Sequence, residues 1–163
     1  MILALHTGQR QADLLTLTWN KYDGAFISLR QRKTGVEVAV PCTKALKSML
    51  DGMEKVATVI LATKTGRSFQ KRYFSEQWEK TCAAAGITDL HFHDLRGTTV
   101  TMMAEAGASV PQIISVTGHT LKSANTILEK YLARTRVLAS QAIDLYEHAP
   151  STKFANDLQT KTP

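Results

Sequence analysis

Two short segments in the N-terminal third of the chain alternate apolar and polar residues with the period of a β-strand. They run from Ala25 to Arg30 and from Val36 to Pro41, and this alternation predicts strands with one buried face. The connection over residues 31–35 ends in Gly35, which tolerates the positive φ of a tight turn. The sequence therefore predicts one antiparallel hairpin around residues 25–41, and any fold for this chain must cover its apolar face.

Most of the remaining sequence has helical spacing of apolar residues, with capping residues and glycines at the expected ends. Helices are predicted over residues 2–5, 9–17, 44–56, 75–85, 94–106, 110–117, 123–132 and 136–148. The fold class is therefore mixed α+β and mainly helical, with the small antiparallel sheet packed beside a helical core. Residues 1–148 should form one domain, and the polar, aperiodic residues 149–163 should form a flexible C-terminal tail.

Charge and cysteine content narrow the partners and the compartment. The chain has 20 basic and 14 acidic residues, a net charge of +6, which favours a polyanionic partner. Cys42 and Cys82 lie far apart and lack the spacing of a zinc site. No apolar run approaches the roughly 18 residues of a membrane span. We therefore expect a cytoplasmic protein that does not enter a membrane.

Four residues in the C-terminal half carry the chemistry of phosphoryl transfer. His93 and Arg96 are three residues apart and share a face of a helix. A guanidinium presents a fork of donors that fits two phosphate oxygens, and the imidazoles of His93 and His119 can move a proton near neutral pH. Tyr131 supplies a phenol that such neighbours can turn into a nucleophile. Together they indicate attack of a tyrosine on a phosphodiester.

Basic residues in three loops leave two interpretations open. Arg10 follows the Thr7-Gly8 turn and is either solvated or held by Asp13, three residues on. Lys33 lies at the hairpin tip, which is either a solvated turn or a finger that reaches a phosphate. Further basic residues either track a DNA backbone or form an ordinary solvated surface; they are Arg30, Arg32, Lys64, Arg67, Lys71 and Arg72.

The motifs, taken in order, resemble the catalytic domain of the tyrosine recombinases, the phage-integrase family. The resemblance covers roughly residues 3–143 and rests on Thr7-Gly8-Gln9-Arg10, Lys33-Thr34-Gly35, His93-Asp94-Leu95-Arg96, Thr117-Gly118-His119 and Tyr131. A single HxxR motif is common, whereas five motifs in this order are specific. The residues around Tyr131 look most like those of integrases from bacterial phages and genomic islands.

The resemblance implies a role for each motif residue. Arg10 and Arg96 would clamp the non-bridging oxygens of the scissile phosphate and offset the charge that develops in the transition state. Tyr131 would attack phosphorus and form a 3′-phosphotyrosyl link, while Lys33 would protonate the departing 5′-oxygen.

The remaining roles are supporting ones. His93 would act as acid and base toward the tyrosine, and His119 would donate a hydrogen bond to a phosphate oxygen. Asp13 would anchor the residues of the site without contacting the phosphate itself. Two arginines, a lysine and two histidines around a phosphate need no divalent ion, so neither a metal nor another cofactor is expected. The covalent link retains the energy of the phosphodiester, so rejoining would need no ATP.

The resemblance also implies partners. Family members act on double-stranded DNA, assemble as homotetramers on it, and in some cases use accessory DNA-bending proteins. They usually carry an N-terminal core-binding domain, which we expect this chain to lack. The isolated domain should then be a monomer that binds DNA weakly. The helix over residues 136–148 would cover its own core or dock onto a neighbouring protomer.

Three alternatives remain for the function. A type IB topoisomerase-like enzyme would use the same chemistry to nick and reseal DNA without a preferred site. A non-catalytic DNA-binding module would use the short helices at 109–132 as a helix-turn-helix. A basic helical domain unrelated to nucleic acid would carry these polar residues in this order by coincidence.

Overall fold

A computed structural model describes residues 1–131 and 136–148, which fall into two compact units. The first unit contains helices α1 (Ile2–Thr7), α2 (Gln11–Leu14), α3 (Lys44–Asp51), α4 (Lys71–Ala84), α5 (Asp94–Glu105), α6 (Val110–Thr117) and α7 (Leu121–Tyr131), a 3-10 turn (Trp19–Lys21), and strands β1 (Phe26–Arg30) and β2 (Glu37–Pro41). The second contains α8 (Arg136–Glu147). The predicted fold class, mainly helical with a small antiparallel sheet, is confirmed. The tail at 149–163 lies outside the described residues.

The hairpin forms as its alternation predicts. β1 and β2 pair antiparallel, with Ile27 opposite Val40 and Leu29 opposite Val38. These four side chains are buried, while the residues between them along each strand are exposed. One face of the sheet therefore belongs to the core, and the other faces solvent.

The core joins this sheet face to the helices around it. Its other buried members are Leu3, Ala4, Leu14, Leu17, Leu46, Leu50, Ile60 and Leu95. Leu46 and Leu50 on α3 are fully buried, and burying one leucine stabilises a fold by roughly 1.5–3 kcal/mol. The core thus joins segments from α1, which precedes the first motif, to α5, which carries Arg96. Among the described helices, none combines the length and apolarity that crossing a membrane requires.

Several helix boundaries differ from the predicted ones, and α2 covers only Gln11–Leu14 of the predicted 9–17. α3 ends at Asp51 rather than near Val56, because Gly52 closes it with a hydrogen bond from its own N–H to the Ser48 carbonyl. α4 begins four residues early, at Lys71, where Phe74 packs edge-on against Phe92. α7 begins at Leu121 rather than Ser123, because the Thr120 hydroxyl accepts the Ser123 N–H at 3.2 Å.

Two Thr-Gly pairs end two helices in the same way. Gly8 closes α1 with φ 61° and Gly118 closes α6 with φ 66°, a left-handed conformation in which glycine is favoured. The preceding threonines are fully buried, and each hydroxyl donates to a carbonyl four residues back, Thr7 to Leu3 at 2.6 Å and Thr117 to Ile113 at 2.8 Å.

The two caps also touch each other. A Cβ on Gly8 would lie 3.0 Å from the Thr117 methyl group and 3.2 Å from that of Thr99 on α5. Thr99 in turn donates to the Leu5 carbonyl at 2.9 Å. The residues that follow the caps, Gln9-Arg10 and His119, consequently start from adjacent points beside α5.

Candidate functional site

Arg96 lies at the centre of the polar cluster formed beside these caps. It is 8% exposed, in the first turn of α5. Its Nη1 donates to the Gly8 carbonyl, and its Nε donates to Nε2 of His119 at 3.0 Å. Its Nη2 is buried and has no hydrogen-bond partner among the described residues. Because a buried donor without a partner is costly, this nitrogen is available to an acceptor that enters the site.

The hydrogen bonds fix the tautomer of His119. The Thr117 hydroxyl donates its proton to the Ile113 carbonyl. The hydroxyl oxygen must therefore accept from Nδ1 of His119, 2.9 Å away. Arginine can only donate, so Nε2 must accept from Arg96. His119 is therefore neutral, with its proton on Nδ1, and both ring nitrogens are engaged.

The electrostatics of the pair agree with that assignment. Burial, and then the positive charges of Arg96 and Arg10, lower the pKa of His119 to about 4. Burial and the charge of Arg10 lower the pKa of Arg96 to about 10, against the opposing effect of Asp13. At neutral pH the site thus holds two guanidinium cations and a neutral imidazole.

Arg10 is held by a residue that the sequence did not single out. It is half-buried, and its Nη1 donates to Oε1 of Gln31 at 2.6 Å. Asp13, the partner considered from spacing, instead accepts the backbone N–H of Arg32 through Oδ1 at 2.9 Å. The interpretation that Asp13 holds Arg10 directly is therefore wrong.

Asp13 nevertheless lies in the cluster. It is buried, and its Oδ2 has no partner among the residues that the structure describes. Through Arg32 it fixes the start of the turn that carries Lys33. Lys33 itself is exposed in that turn.

His93 lies at the mouth of the cluster. It occupies the position just before α5, is exposed, and places Nε2 3.2 Å from Oδ1 of Asp94. A cavity of about 350 Å³ brings it together with the buried pair; the lining residues are His93, Asp94, Arg96, Gly97, His119, Thr126 and Ile127. The predicted shared face of His93 and Arg96 is thus present, at the first turn of the helix.

Tyr131 is the last residue of α7. The same helix supplies Thr126 and Ile127 to the cavity wall. The side chain of Tyr131 lies outside the described part of the chain, so the role of Tyr131 as nucleophile stays a prediction.

The six candidate DNA-binding residues are all exposed, on two surface regions. Arg30 ends β1 and Arg32 lies in the hairpin connection, where Nε of Arg30 donates to the Gly35 carbonyl at 3.1 Å. The others lie in the loop before α4 and at its start; they are Lys64, Arg67, Lys71 and Arg72. Arg72 pairs with Glu76 at 3.0 Å.

Gln31 and Thr117 are the supporting residues that sequence reasoning missed or undervalued. A signal for Gln31 was present, because the period-2 alternation through Ile27 and Leu29 continues to residue 31 on the buried face. The adjacent Arg32-Lys33 pair made the position look like an exposed turn. Thr117 stood out only as part of a motif, although its hydroxyl sets the tautomer of His119.

Comparison with known proteins identifies the family. The sequence profile described as the phage integrase family matches residues 1–136. The chain belongs to the phage integrase family. The motif residues named from the sequence, Arg10 to Tyr131, all lie within the matched region.

Individual family members agree with this assignment. The chain is 31% identical over 122 residues to the shufflon-specific DNA recombinase of Escherichia coli, covering 72% of this chain and 30% of that protein. The lambda integrase catalytic core superposes with a TM-score of 0.61 at 25% identity, over 72% of this chain and 76% of that one. A lambda integrase tetramer bound to a Holliday junction gives 0.62 at 26% identity, over 73% and 39%.

The curated relatives are much longer than this chain. The chain spans less than a third of the length of the curated relatives it matches. The similarity thus concerns one domain of proteins that contain more.

Proposed function

We propose that this phage integrase domain is the catalytic part of a site-specific DNA recombinase that breaks and rejoins DNA through a tyrosine. The observation that carries the proposal is the buried, unpartnered Nη2 of Arg96 beside His119 and Arg10. Two guanidinium groups that lower the proton affinity of their neighbours form a site for an anion. Family membership makes a phosphodiester the anion to expect.

A bound phosphate would relieve the electrostatic and desolvation costs within the cluster. Its oxygens would accept from Nη2 of Arg96, and its charge would offset the repulsion between Arg96 and Arg10. These contacts strengthen as negative charge builds on the non-bridging oxygens, so they favour the transition state over the ground state. Removing one such donor typically costs on the order of 10²–10³ in rate.

The reaction would exchange one phosphoester bond for another. The Tyr131 hydroxyl attacks phosphorus and its proton passes to His93, while the bond to the 5′-oxygen breaks and Lys33 protonates that oxygen. The products are a 3′-phosphotyrosyl link and a free 5′-hydroxyl. Attack by the 5′-hydroxyl of another strand reverses the steps and rejoins the DNA.

His119 contributes differently in the free and bound states. Both of its nitrogens are occupied in the free domain, so Nε2 can donate to a phosphate oxygen only after it leaves Arg96 and gains a proton. An approaching anion raises the pKa of an imidazole. Phosphate binding would therefore favour the protonated ring that the donor role requires.

Double-stranded DNA is the partner that fits this chemistry. A related lambda integrase forms a tetramer on a Holliday junction, and we propose the same assembly for the full-length protein, with accessory DNA-bending proteins where the site requires them. The exposed basic residues from Lys64 to Arg72 would follow the DNA backbone. The isolated domain would be a monomer.

The test is covalent capture on DNA of unknown target sequence. A pool of random duplexes is nicked at a fixed position, so that cleavage releases a short 5′-hydroxyl fragment and traps the adduct for detection in SDS. We expect a tyrosine-linked adduct and enrichment of one sequence among the captured duplexes. Adducts without sequence enrichment would favour the topoisomerase-like alternative, and binding without any adduct would favour the non-catalytic module.

Arg96→Ala provides the internal check on the phosphate clamp. Loss of the guanidinium should abolish the adduct. Full adduct formation by this variant would refute the clamp even if the wild-type chain cleaves DNA.

A further inference from the structure

Gln31 is a fully buried amide that uses all of its hydrogen-bonding positions. Its Oε1 accepts from Nη1 of Arg10 at 2.6 Å and from the Thr34 hydroxyl at 2.9 Å. Its Nε2 donates to Oε1 of Gln9 and to the Thr117 carbonyl, both at 2.7 Å. A glutamine amide has two lone pairs and two N–H groups, so none is left over.

The orientation of this amide follows from its partners. The Arg10 guanidinium offers only donors and the Thr117 carbonyl only accepts, so the amide oxygen must face Arg10 and the nitrogen must face Thr117. A flipped amide would put donor against donor and acceptor against acceptor. No other side chain of similar size offers two donors and two acceptors in this arrangement.

The four bonds join three separate parts of the site. They reach Arg10 in the loop after α1, Thr34 in the turn of Lys33, and Thr117 in the cap that precedes His119. The amide also packs directly on that cap, because a Cβ on Gly118 would lie 2.5 Å from Nε2 of Gln31. Gln31 therefore sets the position of Arg10 relative to the other two segments.

We propose that Gln31 is a positioning residue for phosphoryl transfer, acting through Arg10. This inference rests on the proposed function and extends it by one residue. Gln31 is itself sealed from the solvent, so it can act on a bound phosphate only through groups that it holds, of which the Arg10 guanidinium is the charged one. Holding a reacting or stabilising group in place matters because a displacement of about 1 Å can cost about 10²-fold in rate.

The test compares Gln31→Met with a matched control. Methionine keeps the length of the side chain and removes its four hydrogen bonds. Thr99→Val also removes a buried hydroxyl of this unit without changing shape, and its bonds go to the carbonyls of Leu5 and Leu95. With the nicked duplex pool at saturation, Gln31→Met should form adduct tenfold to a hundredfold more slowly, with DNA affinity within about threefold of wild type.

A double-mutant cycle shows whether the effect passes through Arg10. In an Arg10→Ala background, Gln31→Met should produce little further slowing, because the group it positions is gone. A Gln31→Met rate within threefold of that of Thr99→Val would overturn the proposal. So would the same additional slowing in the Arg10→Ala background as in the wild-type chain.

A measurement on the unmodified chain keeps the proposal testable if Gln31→Met does not fold. The guanidinium of Arg10 should rotate slowly in NMR spectra, while that of exposed Arg67 should rotate fast. Equal, fast rotation of both would overturn the proposal. Slow rotation of Arg10 in a chain that forms no DNA adduct would leave Gln31 as the holder of Arg10 and refute the proposed function alone.

Discussion

Arg96 donates from Nε to Nε2 of His119 across 3.0 Å, so the histidine of the Thr-Gly-His motif serves as an acceptor for the arginine of the HxxR motif. The bond requires a neutral ring, and Thr117 secures the matching tautomer from the other side. The free domain therefore holds two residues that we propose as phosphate ligands against each other. A phosphate can reach Nη2 of Arg96 without disturbing this bond, whereas a hydrogen bond from His119 requires the ring to leave Arg96 and gain a proton.

This arrangement predicts an unusual titration for His119. Its pKa should be lowered to about 4, as followed by NMR of the ring protons. Addition of inorganic phosphate should raise that pKa, because the anion stabilises the imidazolium. A pKa near 6.5 in the free domain would contradict the neutral, doubly bonded ring.

The same shift predicts how stability depends on pH. Between about pH 6.5 and 4 the unfolded chain protonates His119 while the folded chain does not, so the unfolded state binds more protons and folding weakens as the pH falls. Urea unfolding should show this loss within that window. His119→Gln, which can still accept from Arg96 but does not titrate, should show a smaller loss.

Tyr131→Phe should eliminate the covalent adduct and leave DNA binding intact. The substitution removes only the attacking hydroxyl, so SDS-resistant complexes should disappear while fluorescence anisotropy reports an unchanged Kd. Tyr73→Phe, at an exposed position on α4, is the matched control and should retain the adduct. An adduct that survives Tyr131→Phe would place the nucleophile elsewhere.

Gly118→Ala should destabilise the domain more than Gly86→Ala. Both glycines have nearly the same φ, 66° and 68°, but a Cβ at 118 meets the Gln31 amide whereas one at 86 has nothing within 4 Å. The left-handed conformation costs alanine roughly 1–2 kcal/mol, and overpacking adds about 1–3 kcal/mol at position 118 alone. Equal changes in the free energy of unfolding by urea would show that the Gln31 side chain can move away from the new Cβ without lowering stability.

The basic loop before α4 should contribute to DNA affinity through charge alone. Replacing Lys64, Arg67 or Lys71 by glutamine should weaken binding to all sequences and reduce the salt slope of log K by about 0.9 for each phosphate that the variant no longer neutralises. Lys44→Gln on α3 serves as the control outside this cluster. An unchanged slope in all three variants would show that these residues form an ordinary solvated surface and do not contact DNA.

The sequence predicted local features well because local residues determine them. Alternation determined the hairpin, and the Thr-Gly pairs marked the ends of α1 and α6. Contacts between distant residues were harder to predict from the sequence. The spacing of Arg10 and Asp13 suggested a local pair. In the fold, Arg10 bonds to Gln31 instead, and Asp13 accepts the N–H of Arg32. The unexpected end of α3 at Asp51 has a local cause in Gly52, to which the apolar periodicity alone is insensitive.

The hydrogen bonds that build the site connect distant parts of the chain, and this affects when it can act. Arg96 reaches back 88 residues to Gly8, Gln31 reaches forward 86 to Thr117, and Gln9 reaches forward 107 to Val116. Contacts of such high sequence separation form late, because their loop-closure entropy must be met first. A chain still emerging from the ribosome, or one truncated before α6, would have every arginine of the site but no assembled pocket. A pocket that holds Arg10, Arg96 and His119 together would thus arise only in the finished fold.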